Sequence, residues 1–239
     1  DTKSLRTSSL LITVVKSFFK WTKKQNLYPD IASDLERPRI KKEFKHKGMT
    51  PEQYFKLIEW ADKNQSFREQ TMWRIYAYTG VRLSELIGAN FNDIRPDGDD
   101  ILLWFQGKGR HEKDRYVILM EEPFSYLNKY IDQRGAHLPE DAIFVANSPN
   151  NNNGRISTRL VEYKFRDAAE AIGLDKKYTV HSFRHTAGQF VVLAGGRLEQ
   201  AQWLLGHSGT DMTQRYVNAV EDIRRRQFAP ERLLSEYIR

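Results

Sequence analysis

Apolar residues recur at helical spacing through residues 3–26, where Leu10, Leu11, Val14, Val15, Phe18 and Phe19 share one side and lysines occupy the other. That period predicts an amphipathic helix. Pro29 and a polar, basic stretch interrupt the pattern. It resumes at Thr50-Pro51-Glu52-Gln53, where Thr serves as N-cap, Pro occupies the first helical position and Gln closes a capping box. Helices are expected near 51–63, 68–78 and 82–89. The pattern then changes: Ile101 to Phe105 and Tyr116 to Leu119 flank a turn containing Gly107-Lys108-Gly109, which reads as a β-hairpin. A helix near 122–134, a short strand at 143–146 and a polar loop from Asn147 to Gly154 follow. Ser157 caps a further helix that Gly173 ends, and the remainder reads as helix broken by Gly195-Gly196, by Gly206 to Gly209 and by Pro230. There is no internal repeat. The expected fold is mainly α with a small antiparallel β-sheet, and Trp60, Trp73, Trp104 and Trp203 are expected in its core.

Composition narrows the class. The 239 residues are 40% hydrophobic and 29% charged, as in a folded, water-soluble domain. The longest apolar stretches, Leu10 to Val15 and Phe190 to Ala194, fall far below the ~18 residues of a membrane span, so no membrane association is expected. There is no cysteine, which removes disulfides, thiolate metal sites and cysteine nucleophiles together and makes a reducing cytoplasm the expected location. The chain opens on Asp1 with no signal-peptide pattern and reads as a fragment or a processed chain.

The formal charge of +7 is unevenly placed. Residues 1–48 hold 12 Lys/Arg against 5 Asp/Glu, and the other residues balance at 26 of each. The surplus concentrates in the run carrying Arg37, Arg39, Lys41, Lys42, Lys45 and Lys47. Such a run suits a polyanion such as a nucleic-acid backbone, where each contact releases counterions. It equally suits a solvated linker.

Several chemistries have no motif here: no Walker A loop, no His-Glu-x-x-His and no Gly-x-Ser-x-Gly. A set of basic residues at turns and helix starts stands out instead. Arg82 and Glu85 lie in Thr79-Gly80-Val81-Arg82-Leu83-Ser84-Glu85-Leu86. His181 and Arg184 lie one turn apart in His181-Ser182-Phe183-Arg184-His185. His207 follows Leu204-Leu205-Gly206, and Tyr216 comes nine residues later. In these words and their order the sequence resembles the tyrosine recombinase, or phage-type integrase, family over roughly residues 50–220.

The resemblance implies a catalytic set of Arg82, Lys108, His181, Arg184, His207 and the nucleophile Tyr216, with His185 a core histidine; Glu85, one turn from Arg82 on the same face, is read only as orienting it. It implies a site-specific DNA recombinase that cleaves one strand through a 3′-phosphotyrosine and rejoins it, with no metal, ATP or other cofactor. The chemistry is coherent. Two always-charged guanidinium forks suit the charge that develops on the non-bridging oxygens of a phosphodiester. A free tyrosine has a pKa near ~10, so Tyr216 needs activation by these cations or by a proton acceptor such as His181. Lys108, on a glycine-flanked turn, suits a general acid for the leaving 5′-oxygen, although Arg110 and Lys113 lie near it. Simpler roles stay open: Arg82 with Glu85 as a surface ion pair, and His207 as a helix cap.

The expected domains are a partial core-binding helix with basic linker at 1–48, a catalytic domain at 49–220 and a tail at 221–239. Family members carry more helices before the catalytic domain than residues 1–28 can hold. In the tail, Leu233, Leu234, Tyr237 and Ile238 share one face of a helix opened by Pro230. A helix this short needs a docking surface, on its own domain or, as the resemblance implies, on a neighbouring protomer. The implied partners are double-stranded DNA and further copies of the chain, as a tetramer on two DNA sites assembled from free monomers. The competing readings are a type IB-like topoisomerase or telomere resolvase, which shares the chemistry, and a DNA-binding accessory protein with an inactive site.

Overall fold

In a computed structural model, residues 4–38, 48–106, 112–146 and 154–206 are described. The chain divides into two units, Asp1–Phe44 and Lys45–Arg239. The first unit is built on α1 (Leu5–Lys24), whose N-cap Ser4 accepts the backbone N–H of Thr7 at 3.3 Å. The helix is amphipathic as its spacing predicts. Leu10, Leu11, Val14, Val15 and Phe18 are nevertheless exposed. Phe19 packs on Tyr28, with ring centroids 6.0 Å apart.

In the second unit the expected capping box forms. Thr50 accepts the N–H of Gln53, whose side-chain carbonyl accepts the N–H of Thr50, and Pro51 opens α2 (Pro51–Asn64). Then α3 (Phe67–Thr79) runs through the middle of the unit with nearly every residue buried. A helix buried all round must satisfy its polar side chains internally, and α3 does so at Arg68, Trp73 and Arg74, while the buried Tyr76 hydroxyl has no hydrogen-bond partner among the described residues. Arg68 donates to the carbonyl of Val145 at 2.6 Å, and Trp73 Nε1 to Gln65 at 2.7 Å. Arg74 bridges Asp62 and Glu122 at 2.8 and 3.0 Å. Its apolar faces meet Leu57, Phe165 and Phe183 in one continuous core. Buried Tyr76 packs against Phe183 at 6.1 Å.

The helix expected at 82–89 is shorter, α4 (Leu83–Ile87), because Gly88 and Ala89 turn the chain into a 3₁₀ turn at Phe91–Asp93. The hairpin exists as β2 (Asp100–Gln106) and β3 (Lys113–Ile118), with Leu103 opposite Val117. A further edge strand, β1 (Ile94–Asp97), makes the sheet three-stranded in the order β1-β2-β3. After α5 (Glu121–Arg134), the expected strand at 143–146 is replaced by single bridges, Asn90 to Ala142 and Val145 to Arg155. Ser157 caps α6 (Thr158–Ala171) by accepting the N–H of Leu160, and Gly173 takes φ +73° beyond its end.

Two helices then complete the described residues: α7 (His181–Leu193) against α3, and α8 (Leu198–Leu205) against α7. Of the tryptophans expected inside, Trp73 is fully buried, Trp60 and Trp104 are partly buried, and Trp203 is 74% exposed. Trp203 lies between Gln202 and Leu204 on α8, whose buried face is carried by Ala201 and Leu205, so the helical period turns it outward. Among the described residues no helix is long and apolar enough to cross a membrane.

Candidate active site

Helix α3 ends at Gly80, in the left-handed region at φ +59°. A Cβ there would lie 2.5 Å from the Leu205 side chain and 3.2 Å from that of Ala187, so the close approach of α7 and α8 requires glycine as much as the turn does. Two residues on, Arg82 is the N-cap of α4. Glu85 reaches back over one turn. One carboxylate oxygen accepts the backbone N–H of Arg82 at 2.8 Å, and the other pairs with Arg82 Nη1 at 2.5 Å. The carboxylate is buried, whereas the Arg82 side chain keeps 31% of its surface. A fixed carboxylate thus aims a partly exposed guanidinium, whose rigid fork of five donors matches a phosphate.

The second arginine arrives from α7. Phe183 stacks on Trp73 at 5.6 Å and meets Phe165 edge-on at the same distance, which pins the first turn of α7 to the core. The next residue, Arg184, is 2% exposed. Its Nη1 donates to the carbonyl of Gly80 at 2.6 Å and its Nη2 to the carbonyl of Leu205. It therefore ties the turn before Arg82 to the end of α8. His181, the first residue of α7, is exposed, and its ring meets that of buried His185 edge-on at 4.9 Å. His185 is the core histidine that the resemblance implies.

One further arginine enters this cluster that sequence reasoning passed over. Arg115, on β3, donates through Nη2 to the carbonyl of Leu204 at 2.6 Å and lies 3.5 Å from Glu85. Burial lowers its pKa from the ordinary arginine value, and the neighbouring Glu85 carboxylate opposes that shift. A signal existed: residues two apart on a strand share a face, so the inward Val117 implies an inward Arg115. Lys113, by contrast, is paired with the buried carboxylate of Asp93.

Arg82, Glu85, His181 and Arg184 are thus placed by the structure, the two arginines converging on the Gly80 turn. Lys108, Arg110, His207 and Tyr216 lie outside the described residues, as do Arg39, Lys41, Lys42, Lys45, Lys47 and the tail at 230–239. Arg37 is described and exposed. Among the described residues no group of three His, Asp or Glu could hold a metal ion.

Known proteins share both this sequence pattern and this fold. The chain is 29% identical over 223 residues to the tyrosine recombinase XerC of Leptospira interrogans, covering 91% of this chain and 69% of the relative. The crystal structure of XerA recombinase superimposes with a TM-score of 0.61 at 26% identity, covering 90% of this chain and 74% of XerA. A XerH site-specific recombinase bound to its palindromic difH substrate, in a post-cleavage complex, shares the fold. Its TM-score is 0.77 at 17% identity, covering 94% of this chain and 67% of XerH. Residues 47–222 match the phage integrase family model. This chain belongs to the phage integrase family, the tyrosine recombinases, which are enzymes of DNA strand transfer.

Proposed function

We propose that this chain is a site-specific recombinase that cleaves and rejoins double-stranded DNA through a 3′-phosphotyrosine on Tyr216. The observation that carries the reading is the convergence of Arg82 and Arg184, distant in sequence, on one turn. Arg184 bonds to Gly80, two residues before Arg82, while Glu85 holds Arg82 by side chain and main chain together. Held this way, the partly exposed Arg82 guanidinium offers preorganised donors for the charge on a phosphodiester as it passes through a pentacoordinate transition state, and buried Arg184 ties the turn that carries it to the end of α8.

In this reading Tyr216 attacks phosphorus, and its oxygen displaces the 5′-oxygen of the next nucleotide. His181, at the exposed start of α7, takes the phenolic proton, and Lys108 gives a proton to the leaving oxygen. His207 adds a donor to the phosphate. The phosphotyrosine preserves the ester bond energy, so attack by a 5′-hydroxyl restores the DNA with no nucleotide hydrolysis and no metal. The basic run from Arg37 to Lys47 lies along the DNA backbone, and four protomers act on two sites, each donating its 230–239 tail to a neighbour.

The test uses a nicked half-site duplex, selected from a randomised pool for retention by the wild-type chain. Its nick lets the short leaving strand diffuse away and traps the intermediate. A denaturation-resistant protein–DNA adduct supports the reading, and its absence refutes it. Two-site recombination against relaxation of a supercoiled plasmid then separates a recombinase from a topoisomerase.

A further inference from the structure

Glu85 and the end of α8 are linked by one side chain that belongs to neither. Arg115 projects from β3 between them. Its Nη2 makes a short charge-assisted bond, 2.6 Å, to the carbonyl of Leu204, and its Nη1 lies 3.5 Å from the Glu85 oxygen that also accepts the backbone N–H of Arg82. The flat guanidinium also faces Gly206. That residue has φ +58°, and a Cβ on it would lie 2.7 Å from Cζ and Nε of Arg115.

The last carbonyls of a helix have no partner within it and carry the negative end of its dipole. On α8 two of them are taken by arginines from other elements, Leu204 by Arg115 and Leu205 by Arg184. These bonds close into a ring along the chain: Arg82 to Glu85, Glu85 to Arg115, Arg115 to Leu204, Leu205 to Arg184, and Arg184 to Gly80, two residues before Arg82.

We propose that Arg115 is a positioning residue of the strand-transfer site. It fixes Glu85, and through it Arg82, against the Leu204–Gly206 corner that immediately precedes His207. The inference rests on the proposed function. The tighter arm of Arg115 holds the corner and the looser one holds the carboxylate. A lysine, being a point charge on a flexible stem, can hold one of these but not both at once. The conservative substitution should therefore fail to rescue.

Single-turnover cleavage of the selected nicked duplex tests this. Arg115→Ala and Arg115→Lys should each lose about 10–100-fold in cleavage rate, with binding of the unnicked duplex within about threefold of wild type. The discriminating readout is a duplex with a neutral methylphosphonate at the scissile position. It removes the charge that Arg82 stabilises, so the ratio of the wild-type rate to that of each variant should shrink toward one. An equal deficit on both duplexes, or cleavage by Arg115→Lys at the wild-type rate, overturns the proposal. If Arg115→Ala does not fold, Arg115→Lys carries the same comparison. A wild-type chain that forms no adduct defeats the functional reading itself, whereas a reactive wild type with equally reactive Arg115 variants defeats only this inference.

Discussion

Arg184 donates a 2.6 Å hydrogen bond to the carbonyl of Gly80 across 104 positions of sequence. That bond places the second arginine beside the turn that launches the first. It exists because α7 and α8 approach the end of α3 closely enough for a Cβ on Gly80 to strike Leu205. Gly80→Ala should therefore act on stability and on the site together. The left-handed conformation alone costs an alanine about 1–2 kcal/mol, which for a domain of this size lowers Tm by about 2–8 °C. The overlap with Leu205 adds to this and displaces the corner. Calorimetry should show the lower Tm, and cleavage should fall further at a temperature where the variant is still folded. A variant with unchanged Tm would contradict the geometry.

Near the C-terminal end of α3, Tyr78 donates to Glu122 at 2.6 Å, which together with partial burial pushes its pKa up to about 12. A phenol with a raised folded-state pKa favours the protonated form in the native state. Its contribution is complete below the unfolded value near ~10 and is lost as pH rises through the folded value. The stability advantage of wild type over Tyr78→Phe should therefore be constant below pH ~10 and vanish as pH rises through ~12. Urea midpoints of the two proteins across that range give the comparison, and parallel curves would contradict the assignment.

The basic run gives a binding prediction. Replacing Arg37, Arg39, Lys41, Lys42, Lys45 and Lys47 with glutamine should weaken DNA binding. The slope of log K against log salt should flatten by ~0.9 for each phosphate that is no longer neutralised. Titrations at several salt concentrations measure the slope. An unchanged slope would assign the run to solvent.

The elements whose sequence signals are local are legible in the chain: the Thr50–Gln53 capping box, the Ser157 cap and the hairpin all form where their residues place them. What escapes depends on partners far along the chain. Strand β1 holds Arg95, Pro96 and Asp97, residues poor in strand propensity, and exists because an edge position pairing with β2 tolerates proline. Residues 143–146 show the converse, strand-forming side chains with no neighbour beyond single bridges. The outward position of Trp203 is hidden because size and hydrophobicity say nothing of which helical face is covered. In the site, Arg82 and Glu85 can be paired from their spacing of three. The anchoring of Arg184 on Gly80 and of Arg115 on Leu204 cannot, because a carbonyl acceptor leaves no trace in residue type.

The covalent intermediate offers the most direct measurement. Wild-type chain incubated with the nicked half-site duplex, denatured and digested, should yield a nucleotide-bearing peptide whose modification maps to Tyr216. Tyr216→Phe, which removes only the attacking oxygen, should bind the duplex with wild-type affinity and yield no adduct. An adduct that persists in Tyr216→Phe, or maps to another residue, would contradict a phosphotyrosine mechanism centred on Tyr216.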